Sequence, residues 1–258
     1  MVQVRLVRSR RPSEAQRRSV GVRAVKALER MRGAPTTRFK RIMEYARILA
    51  RLDPEALPLL ITALGRIPQS QAILEPVLHR RDAGSCYTSG AGLFDLSFPL
   101  DAEGRNFRDV AVRIKNPRRV VLKRDVVLPW PWRRARLANA MRRLRPGGLW
   151  APWRQDHNHQ VELWEPIGVG WSHGGNHSMA VGILLGAGTV RPNIAYDITP
   201  VYEHVYCDGR TFRRRHDRAV ISEVASIELA AIFEIGRLIA DARAGRIEAS
   251  DPDAGFYD

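Results

Sequence analysis

The sequence predicts an α+β protein: a helical N-terminal module over residues 1–82, a connector over 83–118, an α/β domain over 119–247 and an acidic tail over 248–258. Three observations predict it. Apolar residues recur at helical spacing as far as residue 81, the period shortens to that of strands from Arg119, and glycine or proline pairs punctuate the remainder of the chain. A chain of 258 residues can bury a sizeable core as one large domain or two smaller ones, and the change of period favours two.

Residues 13–32 place Val20, Ala24, Ala27, Leu28 and Met31 on one helical face before Gly33-Ala34-Pro35 stops the run. Residues 37–52 repeat the pattern with Phe39, Ile42, Met43, Ala46 and Leu49. Asp53-Pro54 then opens a third helix expected to end near Gly65, because Asp caps and Pro suits the first turn. Residues 70–81 read as a fourth, although it contains Pro76. The connector, with Gly84, Gly90, Gly92, Pro99 and Gly104, reads as partly extended. Beyond it, residues 120–122 and 126–128 read as strands, 133–144 as a helix closed by Pro146-Gly147-Gly148, and 161–164 and 167–171 as a strand pair. A helix over 176–185, strands over 194–198 and 201–207, and an amphipathic helix over 226–244 complete the domain.

With 45% hydrophobic and 27% charged residues, wholesale disorder is excluded. Cys86 and Cys207 are too few and too far apart for a disulfide framework or a zinc cluster, which fits a reducing cytoplasm. The basic N-terminus lacks an apolar stretch of signal length, and the most apolar helix is interrupted by Glu228, Glu234 and Arg237, so membrane spanning is disfavoured. The net charge of +15 is unevenly spread: residues 1–51 carry fifteen Lys and Arg against three acids, and residues 103–145 carry fourteen against three. Such blocks concentrate a polyanion, and nucleic acid is the expected partner, through Arg17, Arg18, Arg23, Lys40, Arg41, Arg118 and Arg119. Because 38 of the 42 basic residues are Arg, a coding bias toward solvated Arg-rich faces is the alternative.

The focal motif is Gly174-Gly175-Asn176-His177-Ser178. Paired glycines before a helix let a ligand approach the backbone, and the first helical amides favour an anion. His177 can donate to a phosphate or a carboxylate, while Asn176 or Ser178 can cap the helix; a plain strand-to-helix turn is the alternative. Asp156-His157-Asn158-His159 stands upstream at a spacing resembling ββα-metal nucleases, in which one His activates water and others hold the ion. His177, Asp156 and His157 are therefore candidate catalytic residues, though the helix lacks the later His such a site uses. Asp197 is a candidate Mg²⁺ ligand or partner of His177, or an ordinary loop acid. All six tryptophans lie between Trp130 and Trp171, where rings can stack on bases or wall a pocket. The Arg213-Arg214-Arg215-His216 cluster reads as an exposed turn or a phosphate contact.

The order of elements and the Gly-x-His turn over residues 119–200 resemble the ParB/sulfiredoxin-like superfamily. That resemblance implies phosphate binding by Gly174, Gly175, Asn176, His177 and Ser178, with Arg133, Arg134 or Arg136 as the upstream basic contact; the cofactor is left open, a nucleoside triphosphate with Mg²⁺ being the candidate. Ser178 stands where that superfamily usually has Arg, and Asn176 where sulfiredoxins have Cys, which excludes peroxiredoxin repair. More closely, Leu128-Pro129-Trp130-Pro131-Trp132, Trp153-Arg154-Gln155-Asp156, Glu162-Leu163-Trp164, Tyr196-Asp197-Ile198-Thr199-Pro200 and the Ala230-Ala231-Ile232-Phe233-Glu234 helix resemble uncharacterised proteins of plasmids and integrated mobile elements. The expectation is a nucleic-acid-associated accessory protein of a mobile element. The alternatives are a metal-dependent nuclease or nucleotide hydrolase, and a non-catalytic subunit docking on an acidic protein partner.

Overall fold

The computed structural model describes residues 35–78 and 92–247, so the expected first helix with Arg17, Arg18 and Arg23, and the acidic tail, lie outside the described residues. In chain order the helices are α1 (Pro35–Leu52), α2 (Leu57–Leu78), a single turn α3 (Phe107–Val110), α4 (Arg134–Leu144), α5 (Asn176–Leu184) and α6 (Ile227–Arg243). The strands are β1 (Val112–Arg113), β2 (Val120–Val121), β3 (Val126–Leu128), β4 (Val161–Glu165), β5 (Val169–Ser172), β6 (Thr189–Val190), β7 (Ile194–Asp197), β8 (Val205–Cys207), β9 (Thr211–Arg214) and β10 (Val220–Glu223). The architecture is mixed α+β with a helical N-terminal part. No helix among the described residues is long and apolar enough to cross a membrane.

Five strands form the central sheet in the order β1-β7-β4-β5-β3. The β3/β5 and β4/β7 pairs are parallel, whereas β4/β5 and β1/β7 are antiparallel. Side chains alternate across this sheet and sort its core into two layers. Val126, Leu128, Trp164, Val169 and Trp171 face a cluster completed by α1, α2 and α6. Val127, Val161, Leu163 and Ala195 face a second cluster completed by α4, α5 and the β2/β6 ladder. In the first layer Trp164 stacks on Phe107 with ring centroids 4.4 Å apart and meets the Trp171 ring edge at 5.3 Å. The β8-β9-β10 meander carries Cys207 and Phe212 into the same layer.

Three differences from the sequence expectation have identifiable causes. The third and fourth expected helices are one, α2, which runs through Gly65, Pro68 and Pro76. Gly65 is a contact site there and not a stop: a Cβ on it would lie 2.6 Å from Val126 Cγ2, so its absence lets α2 approach β3. Gln69 then donates from Nε2 to Val127 O at 2.7 Å, and Arg66 donates to the carbonyls of Lys123 and Arg124. The expected strand over 201–207 is divided, because Asp197 Oδ1 accepts the Thr199 N–H and Pro200 starts a 3-10 turn, Thr199–Glu203, ahead of β8. The expected exposed Arg213-Arg214-Arg215 turn belongs largely to β9, where Arg213 pairs with Asp208, Arg214 with Asp217, and Arg215 donates to Tyr202 O. Helices α1 and α2 share one apolar cluster with α6, and β1 joins the central sheet from within the expected connector.

Candidate functional site

The parallel strands β3 and β5 end side by side, with Leu128 opposite Trp171, and each leads to a helix on the same face of the sheet. Two helix starts therefore meet at the carboxyl end of a parallel pair, the usual place for a ligand crevice in such sheets. Beside them lies a cleft of about 960 Å³. One wall is the inner side of α4, with Arg136, Asn139 and Leu144; another is the 149–156 loop, with Trp150, Arg154 and Asp156; the floor is Gly175 to Ser178.

The α5 start is built tightly. Gly175 holds φ at +67°, and a Cβ there would also stand 2.6 Å from His159 Cδ2, so both conformation and space require glycine. The first backbone bond of α5 runs from Met179 N–H to Gly175 O at 2.8 Å, which leaves the earlier amides of the turn without an intrahelical acceptor. Asn176 is buried, and its Oδ1 accepts the Trp130 N–H at 2.8 Å. His177 Nε2 accepts the Arg133 N–H at 3.1 Å, tying the α4 start to the α5 start, and its ring meets the edge of Trp132 at 4.8 Å. This bond leaves Nε2 without a proton, so His177 acts in this geometry as a brace between helices.

His159, which precedes β4, lies in the cleft wall. The neighbouring His157, an expected catalytic residue, is exposed and outside the lining. The His159 ring is buried against Trp153, with centroids 4.9 Å apart, and its Nε2 lies 2.6 Å from Ser178 Oγ. Its Nδ1 lies 2.9 Å from both the Asp156 amide nitrogen and Asp156 Oδ1. Burial pushes the imidazole pKa down, and the adjacent Asp156 only partly offsets this. No local sequence signal marks this contact, because Ser178 is nineteen positions away and reaches His159 only when β5 returns beside β4.

Of the expected phosphate contacts, Arg136 lines the cleft, while Arg133 takes part through its backbone and Arg134 lies on the exposed first turn of α4. Residues 126–155 contain seven Arg and no acid. Among the described residues, Arg134, Arg136, Arg142, Arg143, Arg145 and Arg154 pair with no carboxylate; Arg142 and Arg143 donate to Asn139, and Arg143 stacks on the Trp150 ring at 4.5 Å. Other expected residues fall elsewhere. Arg118 is engaged by Asp125 at 3.0 Å and Glu165 at 2.8 Å at the opposite end of the sheet, with Arg119 beside it. Lys40 and Arg41 are exposed on α1, in the other helical layer.

Asp197 closes β7 opposite Glu165, at the sheet end remote from the Gly175 turn. The expectation that Asp197 faces that turn, as a metal ligand or partner of His177, is corrected by the strand directions: β4 separates the two ends, and Asp197 Oδ1 caps the following 3-10 turn. Among the described residues, no group of three or more His, Cys, Asp or Glu side chains is placed to hold a metal ion.

These features define a mixed α/β protein with a cationic, aromatic cleft at a helix start. A profile of the family of unknown function DUF6710 matches residues 15–245, and the chain belongs to that family. No curated protein and no solved structure matches it.

Proposed function

We propose that the chain is a nucleic-acid-associated accessory protein of a mobile element whose cleft holds a phosphate of a nucleotide or of a nucleic-acid backbone. The observation that carries this reading is the coincidence of two features: an acid-free run of Arg along α4 and its loops, and a cleft of about 960 Å³ with Arg136, Arg154 and the α5 amides in its walls. Trp132 and Trp150 offer ring faces beside these charges, which suits a base adjoining the phosphate. A Gly-x-His turn opening a helix is also the feature on which the ParB/sulfiredoxin resemblance rests.

Fluorescence anisotropy with a labelled single-stranded oligonucleotide across a salt series tests the reading. Binding is expected to weaken as salt rises, with a slope of about −0.7 per neutralised phosphate. Removing both charges, in Arg136→Ala with Arg154→Ala, is expected to weaken binding and flatten that slope while changing stability by no more than about 0.5 kcal/mol. Binding indifferent to salt, or an unchanged slope in the double variant, contradicts it.

A further inference from the structure

We infer that Ser178, His159 and Asp156 form a nucleophile–base–orienter relay in the cleft wall, and that the cleft cleaves phosphodiesters without a metal. The Ser178 hydroxyl stands 2.6 Å from His159 Nε2, and His159 Nδ1 stands 2.9 Å from Asp156 Oδ1. All three residues line the same cleft as Arg136 and Arg154. The substrate class rests on the phosphate-binding reading above.

The surroundings of the imidazole suit a proton carrier. Nδ1 faces a donor, the Asp156 amide, and an acceptor, Asp156 Oδ1, each at 2.9 Å. With the proton on Nε2, Nδ1 accepts the amide, while Ser178 Oγ accepts from Nε2 and donates to Gly175 O at 2.9 Å. To act as a base the ring must carry its proton on Nδ1, where Asp156 Oδ1 accepts it at 2.9 Å and the Asp156 amide gives up its acceptor; Nε2 then receives the serine hydroxyl. Asp156 Oδ1 is the group that makes the base form reachable, because it can accept the Nδ1 proton. Burial disfavours the charged imidazolium and pushes the ring's pKa down, with the adjacent Asp156 opposing it. His177, engaged by the α4 backbone, is not needed as the base.

The chemistry closes without a co-reactant other than water. Ser178 Oγ attacks phosphorus as its proton passes to His159 Nε2; the Oγ–P bond forms, the bond to the leaving oxygen breaks, and that oxygen takes the proton. Water then gives a proton to Nε2 and attacks the phosphoserine, the Oγ–P bond breaks, and Oγ recovers a proton from the imidazolium. The net change is a phosphodiester and water becoming a phosphomonoester and an alcohol. The guanidinium groups of Arg136 and Arg154 and the α5 amides supply fixed positive charge for the phosphoryl oxygens.

Two arms test this with the full chain in a chelator. In the first, a fluorophosphonate probe is followed by intact mass and peptide mapping. The expected result is one adduct, on Ser178, absent in Ser178→Ala. In Asp156→Asn, labelling is expected to slow by about 10²-fold or more with a displaced pH–rate profile, which a purely structural role for this exposed residue would not produce. In the second arm, an end-labelled single-stranded oligonucleotide is expected to be cleaved by the wild type and bound but not cleaved by Ser178→Ala. Failure to bind the oligonucleotide sinks the phosphate-binding reading, while the probe still reports on the relay. A folded wild type that leaves Ser178 unlabelled, an Asp156→Asn rate and pH profile equal to wild type, or cleavage that persists in Ser178→Ala overturns the relay.

Discussion

The two faces of the central sheet differ in how much of their positive charge is taken into the fold. On the α6 face several cations are taken into the fold: Arg38 pairs with Glu228, Arg108 with buried Glu162, and Arg237 with Glu234 while also donating to the carbonyls of Tyr202 and Val205, whereas Lys40 and Arg41 stay exposed on α1. On the α4 face, six Arg side chains meet no carboxylate among the described residues, and the helix layer parts into a cleft. A basic composition therefore has two separate meanings in one molecule. Part of the charge is internal scaffolding, and part is held at the surface with no carboxylate beside it.

Substitutions can break that comparison. The largest expected effect is on the scaffold side: Arg237→Ala leaves Glu234, two carbonyls and the Tyr202 ring without their cation, and is expected to cost about 3–5 kcal/mol in denaturant unfolding. A loss no greater than that of the Arg136 and Arg154 variants removes the distinction. A smaller, pH-dependent effect belongs to Glu162. Burial works to raise its pKa, but hydrogen bonds from His173, Trp164 and Arg108 outweigh it and hold the carboxyl below its ordinary range. A depressed carboxylate contributes stability above its unfolded value of about 4.3 and loses it as pH falls through the folded value. Unfolding curves of wild type and Glu162→Gln are therefore expected to differ most near neutrality and to converge in acid; a constant difference contradicts this. The smallest effect is chemical: burial pushes the Cys207 thiol up to about 12, so alkylation mapped at that residue is expected only after unfolding.

Helix positions were legible because apolar spacing survives in any tertiary context. Residues 37–52 and 226–244 fall on α1 and α6 within a residue or two, and the Gly174-Gly175 turn does open a helix. Gly65 misled because a glycine that ends a helix and one that admits a neighbouring strand look alike without the strand, here Val126. The two-residue strands β1, β2 and β6 are fixed by pairing at a distance and leave almost no periodic trace. Asp197 and His177 lie close together in sequence yet occupy opposite ends of the sheet, because β4 and β5 run in opposite directions. The Ser178 and His159 contact arises from that same reversal, so no motif along the chain announces it.

In the proposed function an incoming phosphate lands on the α5 amides between Arg136 and Arg154. Titration of isotope-labelled protein with a nucleoside monophosphate, followed by amide nuclear magnetic resonance, addresses it directly. The largest shifts are expected at the amides of Gly175, Asn176, His177 and Ser178, saturating together with the Arg136 and Arg154 side-chain signals. Shifts confined to α1 or to the β8-β9-β10 meander, with the α5 amides unmoved, would contradict it.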